Sequence, residues 1–231
     1  MRFVLIRHGQ SGNNLLFSTN GDDRGRDPDT LLTPLGEQQA AALAGFATDP
    51  GLPWRITHLR CSLMARAIQT AAPLADALDV PLHADEHLHE CMGPYDYAPG
   101  TRDRVPHAGS PRSALAAHSP RLVLPEAATE DGWWTRELEE AEEEYAARAA
   151  RVVSSLRAEL PEDAVVGLVT HGWFTQYLVR ELLGIPAMSG WFAIHNTAVT
   201  LLADQGGSWA GSVEALKIGW TPHLAPDQVS S

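Results

Sequence analysis

Two short apolar runs, each ending in a histidine, constrain this chain more than any other feature. Phe3-Val4-Leu5-Ile6 leads into Arg7-His8-Gly9, and Val165-Val166-Gly167-Leu168-Val169-Thr170 leads into His171. Runs this short, this apolar and this rich in branched side chains suit strands buried on both faces of a parallel sheet. A residue directly after such a strand lies at its carboxyl end, where open α/β sheets bind ligands. Two imidazoles and an arginine, far apart in sequence, are therefore expected in one pocket.

Helical patterns separate the strands. Thr33-Pro34 has the form of an N-cap followed by proline at the first helical position, and it opens an alanine-rich helix reaching about Phe46. Between His8 and this helix a charged turn is expected. Residues 56–61 predict a strand, Ser62 the cap of a helix over 63–77, and 80–83 a short strand. Residues 91–132 are rich in Pro, Gly, Ser and Ala without a long period, and read as an insertion or lid with one short helix. The helix expected over 137–160 has its glutamates early and its arginines late, as the helix dipole favours. Then come a strand over 164–170 and a helix over 173–183 stopped by Gly184. Strands over 197–203 and 212–218, joined through Gly206-Gly207, precede a tail that reads as loose after Pro222. The alternation predicts a three-layer α/β/α sandwich with a mainly parallel central sheet, built as a single domain over 1–231.

At 231 residues the chain is long enough to bury a substantial core. Its net charge of −12 argues against nucleic acid or an anionic membrane surface as a partner. No stretch approaches the roughly 18 apolar residues of a membrane span. Cys61 and Cys91 do not make a disulfide scaffold, so a soluble, cytoplasmic protein is expected. Nothing in the sequence indicates an oligomeric state.

The chemistry starts at Arg7-His8-Gly9. Histidine titrates near neutrality and can offer a ring nitrogen as nucleophile. Arginine adds a fixed fork of donors for phosphate oxygens, and glycine lets a ligand approach the backbone. The motif extends to Arg7-His8-Gly9-Gln10-Ser11-Gly12-Asn13-Asn14. Leu32-Thr33-Pro34-Leu35-Gly36-Glu37, Cys61-Ser62-Leu63-Met64-Ala65-Arg66 and Val169-Thr170-His171-Gly172 follow in order. In these four motifs the chain resembles the histidine phosphatase superfamily, the phosphoglycerate-mutase-like group.

The resemblance implies that His8 is the nucleophile that becomes a transient phosphohistidine. Arg7, Arg66 and His171 would surround the phosphoryl oxygens, with Asn14, Gln10, Ser11 and Gly172 as substrate-binding residues. It places a catalytic glutamate after the third strand, where Leu88-His89-Glu90 stands; Glu90 is the candidate acid and Glu86 the reserve. Here the chain departs from the family pattern. The step from Glu90 to Gly93 is one residue shorter, and Tyr97-Ala98-Pro99-Gly100 replaces the usual aromatic-Glu-Gly. No metal and no cofactor is implied. The segment His83-Ala84-Asp85-Glu86-His87-Leu88-His89-Glu90-Cys91 is rich in ligand types, but its spacing matches no closed metal site.

Trp133, Trp134, Tyr95 and Tyr97 are candidates for lining a pocket or for ordinary packing. Arg24, Arg26, Arg102, Arg104, Arg112 and Arg121 are candidates for further anionic groups of a substrate, while Trp173 and Phe174 read as core. The function expected is phosphomonoester hydrolysis through a phosphohistidine, the partner being a small phosphorylated substrate or inorganic phosphate. A phosphoglycerate-type mutase is the first rival. A non-catalytic phospholigand-binding protein is the second, and a metal-dependent hydrolase built on the histidine cluster a weaker third.

Overall fold

Val4 and Ile6 face one side of the first strand and Phe3 and Leu5 the other, all at most 1% exposed. This strand, β1 (Arg2–Arg7), is therefore covered on both faces. The computed structural model describes residues 1–139, 141–204 and 213–231. Two further strands, β2 (His58–Ser62) and β3 (Leu82–Asp85), belong to the same sheet. A separate two-stranded ribbon holds β4 (Tyr95–Tyr97) and β5 (Arg104–Pro106). The main sheet is completed by β6 (Leu122–Val123), β7 (Val165–Thr170), β8 (Val199–Asp204) and β9 (Val213–Trp220), in the order β6-β3-β2-β7-β1-β8-β9. Strands β6 to β1 of this order run parallel, while β8 and β9 add antiparallel pairings at one edge. Register matters most between β1 and β7. Ile6 pairs with Val169 and Arg7 with Thr170, so His8 and His171 leave the sheet side by side.

A short helix, α1 (Gly12–Asn20), follows β1. One face of the sheet is covered by α2 (Pro34–Ala47) and α3 (Ala65–Leu78), which bring Leu43, Ile68 and Leu74. The segment over 91–132 carries α4 (Arg112–Ala116) as well as β4, β5 and β6, and β6 extends the main sheet beyond β3. The other face is covered by α5 (Glu142–Glu159) and α6 (Gly172–Leu183), with Val152, Leu156, Phe174 and Leu178. The architecture is the expected α/β/α sandwich. Among the described residues no helix is long and apolar enough to cross a membrane.

Several local expectations are corrected. A helix, α1, forms where a charged turn was expected. Its Gly, Asn, Ser and Thr are poor helix formers, but Ser11 and Asn14 cap it reciprocally, and Gly21 closes it in the left-handed region. Ser62 does not cap α3. Its hydroxyl accepts from Met64 N at 3.2 Å, while the Ala65 N–H donates to Asp29 Oδ1 at 2.8 Å from a distant loop. The short third strand sits at Leu82–Asp85, not 80–83. The start of α5 is Glu142, not 137, because Glu139 is drawn inward to Arg148 Nε at 2.9 Å. The tail is not loose. Asn196 N donates to Ser230 O at 2.9 Å, and Gln39 Nε2 donates to Gln228 O at 2.7 Å. The expected link through Gly206-Gly207, and Ser212 at the expected start of the last strand, lie outside the described residues.

Candidate active site

The loop after β1 is pressed against the start of α2. Thr33 caps α2 by accepting from Gly36 N, and the same hydroxyl donates to Gln10 Oε1 at 2.7 Å. A Cβ on Gly36 would fall 2.1 Å from Gln10 O, and one on Gly9 2.7 Å from Gly36 O. Gly9 is thus required by the neighbouring helix. Gly9 N donates to Thr70 Oγ1 at 2.9 Å and Gln10 N to Gln39 Oε1 at 2.8 Å, so side chains of α3 and α2 fix the loop that carries His8.

His8 is 4% exposed and His171 fully buried, with ring centroids 5.1 Å apart. His8 Nδ1 lies 2.7 Å from Gly9 O. A carbonyl only accepts, so Nδ1 carries the hydrogen and Nε2 the lone pair. Arg66 Nε donates to that Nε2 at 3.2 Å. Arg66 Nη2 lies 3.3 Å from His171 Nδ1, and His171 Nε2 lies 2.9 Å from Ser62 Oγ. The arginine has donors only, so His171 carries its hydrogen on Nε2, toward Ser62. Burial, reinforced by Arg66 and Arg7, holds the His8 imidazole well below its usual value of 6.5. Burial and Arg66 do the same to His171. Both rings are neutral at physiological pH.

Arg66 sits in the first turn of α3, and His171 is the N-cap of α6. With Ser11 capping α1, three helix N-termini point toward this loop, and such ends favour anions. Burial lowers the Arg66 guanidinium to about 10, against the opposing pull of Asp29 and Glu90, and leaves it cationic. Arg7 Nη1 donates to Ile194 O at 2.7 Å. Arg7 Nε and Arg66 Nη1 are buried without a hydrogen-bond partner among the described residues. These two buried donors lie at one site and are free to meet an anion.

Glu90 stands against the first turn of α6. Its Oε1 accepts from Cys91 N and Phe174 N, each at 2.9 Å, and its Oε2 from Trp173 N at 3.3 Å. Together with Arg7 and Gly172 it lines a cavity of about 450 Å³. A Cβ on residue 172 would sit 3.1 Å from Arg7 Nε, so the glycine lets Arg7 lie close to α6. The structure thus gathers His8, Arg7, Arg66, His171, Glu90 and Gly172. Asn14 stands nearby, its Oδ1 accepting from Asn196 Nδ2 at 3.2 Å. Gln10 and Ser11 use their side chains within the loop itself, on Thr33 and on the cap of α1.

Other candidates have structural partners. Trp133 and Trp134 are buried against His89. Arg26 lies over the Tyr95 ring at 3.5 Å, Arg24 pairs with Asp22 and Arg121 with Asp76. Arg112 donates to the carbonyls of Pro125 and Ala128. Trp173, expected in the core, is 37% exposed and lines the cavity, whereas Phe174 is buried. In the histidine-rich segment, Asp85 turns to Arg60, Glu86 to Arg136 and His89 to Glu139. Among the described residues no group of three metal-ligating side chains is assembled.

Sequence reasoning missed Asn196 and Asp29, and gave Ser62 a helix cap in place of its contact with His171 Nε2 at 2.9 Å. Asn196 is buried and donates to His8 O at 3.1 Å. None of the three carries a local signal for its role, because each partner is distant in the chain.

A family model described as histidine phosphatase superfamily (branch 1) matches residues 3–213. The glucosyl-3-phosphoglycerate phosphatase of Mycobacterium tuberculosis (strain CDC 1551 / Oshkosh) is 28% identical over 240 residues, which cover 100% of this chain and 97% of that one. A probable phosphoglycerate mutase GpmB of Enterobacter sp. (strain 638) is also 28% identical, over 229 residues, 98% of this chain and 93% of that one. A phosphoserine phosphatase mutant from Entamoeba histolytica, solved in complex with phosphoserine, has a TM-score of 0.62 at 22% identity over 97% of this chain and 99% of its own. That likeness shows the fold. The native mycobacterial glucosyl-3-phosphoglycerate phosphatase has a TM-score of 0.57 at 25% identity, over 87% of this chain and 89% of its own.

Proposed function

The chain belongs to the histidine phosphatase superfamily, branch 1, and from that premise we propose that it hydrolyses small phosphate monoesters through a phosphohistidine at His8. Nε2 of His8 attacks phosphorus in line, forming the N–P bond as the P–O bond to the leaving alcohol breaks. Arg7, Arg66 and the amide of Gly172 hold the three equatorial oxygens, with Asn14 as a further donor; His171, whose one N–H goes to Ser62, accepts from Arg66 at Nδ1 and so orients that guanidinium. Charge stabilisation by such preorganised donors is the main lever in phosphoryl transfer. Glu90, in its acid form, gives its proton to the leaving oxygen. Its Oε2, which accepts the longest of the three backbone bonds, is the oxygen freest to carry that proton. The carboxylate then takes a proton from water as the water attacks phosphorus, releasing phosphate and restoring both residues. No metal is called for in any step.

The observation that carries this reading is the His8 ring, hydrogen on Nδ1 toward Gly9 O and lone pair on Nε2 toward a guanidinium. Two free, buried thiols, Cys61 and Cys91, support a reducing, cytoplasmic setting.

His8→Ala is expected to abolish turnover of a phosphate-ester panel without loss of the folded circular dichroism spectrum. Labelled phosphoryl on the wild-type enzyme should survive an alkaline quench and be lost in acid. A label that survives acid, or a variant that turns over at a comparable rate, sinks the assignment. The rival mutase is separated by incubating the enzyme with a phosphoglycerate, with and without a bisphosphoglycerate primer. Release of inorganic phosphate in both cases is the expected result, and primer-dependent isomerisation without release is the outcome against it.

A further inference from the structure

The cavity beside Arg7 and Glu90 has an outer wall that the phosphoryl chemistry does not use. It is made by Trp173 on α6 and by Trp191, Phe192 and Ile194 in the segment before β8. Trp191 is 64% exposed and Trp173 37%, their rings edge to face at 5.7 Å. The backbone behind this wall is fixed in place at Phe192 and Ile194. Gln176 Nε2 donates to Phe192 O and its Oε1 accepts from Phe192 N, each at 3.0 Å, and Arg7 Nη1 holds Ile194 O at 2.7 Å. Those bonds also use up both ends of the Gln176 amide. Beyond the phosphate end, the wall therefore presents ring faces and few side-chain groups free to bind hydroxyls.

Charge points the same way. Among the described residues that line the cavity, Arg7 is the only cation, and it belongs to the phosphoryl end; Glu90 is the one acid. A leaving group with its own carboxylate would find no counter-charge on this wall. Two neighbouring indoles open to the cavity suit the opposite kind of group, flat, apolar and uncharged.

We infer that the substrate is a phosphate monoester of an uncharged alcohol bearing an aromatic ring, packed against the Trp173–Trp191 pair on the leaving-group side of Glu90. The inference rests on the phosphatase reading above and assigns the alcohol that reading leaves open. It sets the chain apart from relatives whose names carry phosphoglycerate.

The test compares 3-phenylpropyl phosphate, propyl phosphate and 3-phosphoglycerate as substrates of the wild-type enzyme. The first two share a primary alcohol of similar reactivity, so a difference in kcat/KM reports the ring. Phenylpropyl phosphate is expected to exceed propyl phosphate by about tenfold or more, the gain from burying one ring against the indoles. In Trp191→Ala that ratio should fall toward unity. Binding of phenylpropylphosphonate and propylphosphonate, followed by tryptophan fluorescence, gives the same comparison without turnover. Hydrolysis of all three esters with no preference for the ring, or a preference for 3-phosphoglycerate, overturns the inference and leaves the phosphatase reading standing. Ring-selective phosphonate binding without hydrolysis of any ester does the reverse: the aromatic cavity stands and the phosphatase reading falls.

Discussion

His8 is a neutral imidazole because of where it sits. It is almost wholly buried, two guanidinium groups lie close, and its Nδ1 hydrogen is committed to Gly9 O. Burial lowers its proton affinity most, then Arg66, then Arg7. A nucleophile needs a lone pair at working pH, and this environment keeps it on Nε2 without a neighbouring base. Nitrogen-15 NMR of histidine-labelled protein should show His8 as the Nδ1–H tautomer from pH 8 down to at least pH 6, with no titration near 6.5. A midpoint near 6.5 at His8 would contradict the buried, cation-flanked setting. At this scale much was legible before the structure. A histidine at the end of an apolar run can be read directly, and Arg66 followed from its motif. Asp29 and Asn196 could not be read, since the atoms they satisfy, Ala65 N and His8 O, belong to segments that only folding brings near.

Between helix α5 and the segment that carries Glu90, one buried arginine sets the geometry. Arg148 is fully buried; its Nε donates to Glu139 Oε2 at 2.9 Å, and its Nη1 to His87 O at 2.9 Å and His89 O at 2.7 Å. Its guanidinium lies 3.7 Å from the centre of the Phe174 ring, whose backbone N–H donates to Glu90. The arrangement also explains the helix start. A glutamate run predicts a helix from 137, but Glu139 is worth more inside, paired with Arg148, so α5 begins at Glu142. Helix propensity yields to a buried charge pair. Removing one member of such a pair leaves the other uncompensated. Arg148→Met should therefore lower stability by about 3 kcal/mol, measured by urea unfolding. Adding Glu139→Gln to it should recover part of the loss. A single variant as stable as wild type would mean that Glu139 needs no partner there. Elements that rest on local signals, such as α2 with its Thr33 cap and α6 with Gly184, match their expected limits closely. Those that rest on distant partners, α5 and α3, shift at their starts.

Across the whole molecule, the alternating runs made the sandwich legible, because a parallel sheet must be buried on both faces and its strands show it. What they did not reveal is how the chain closes on itself. Ser230 Oγ donates to Asn196 Oδ1 at 3.0 Å, and Gln39 Nε2 reaches both Gln228 O and Ser230 Oγ, so the tail braces the two side chains that hold the His8 loop. The same loop sets how stability responds to acid. A net charge of −12 strains the fold by self-repulsion at neutral pH, and protonating surface carboxylates relieves it. Buried histidines act in the opposite direction. His8 and His171 titrate well below 6.5 when folded, so below that pH the unfolded chain binds protons that the folded chain does not. Stability must then rise with pH through this window and fall as pH drops through it. Each such histidine lowers stability as pH falls below the unfolded imidazole range. Glu139, which burial raises but the nearby His89 ring and the bond from Arg148 hold down to about 2, adds a further loss below pH 4.5. The histidine effect is concentrated in two groups, whereas charge relief is spread over a solvated surface and is screened by salt. Urea midpoints at fixed ionic strength should accordingly fall from pH 7 to pH 5 and keep falling toward pH 4. A midpoint that held level or rose over that range would show surface repulsion to outweigh the buried imidazoles, and His8 and His171 to be protonated at little cost in the folded protein.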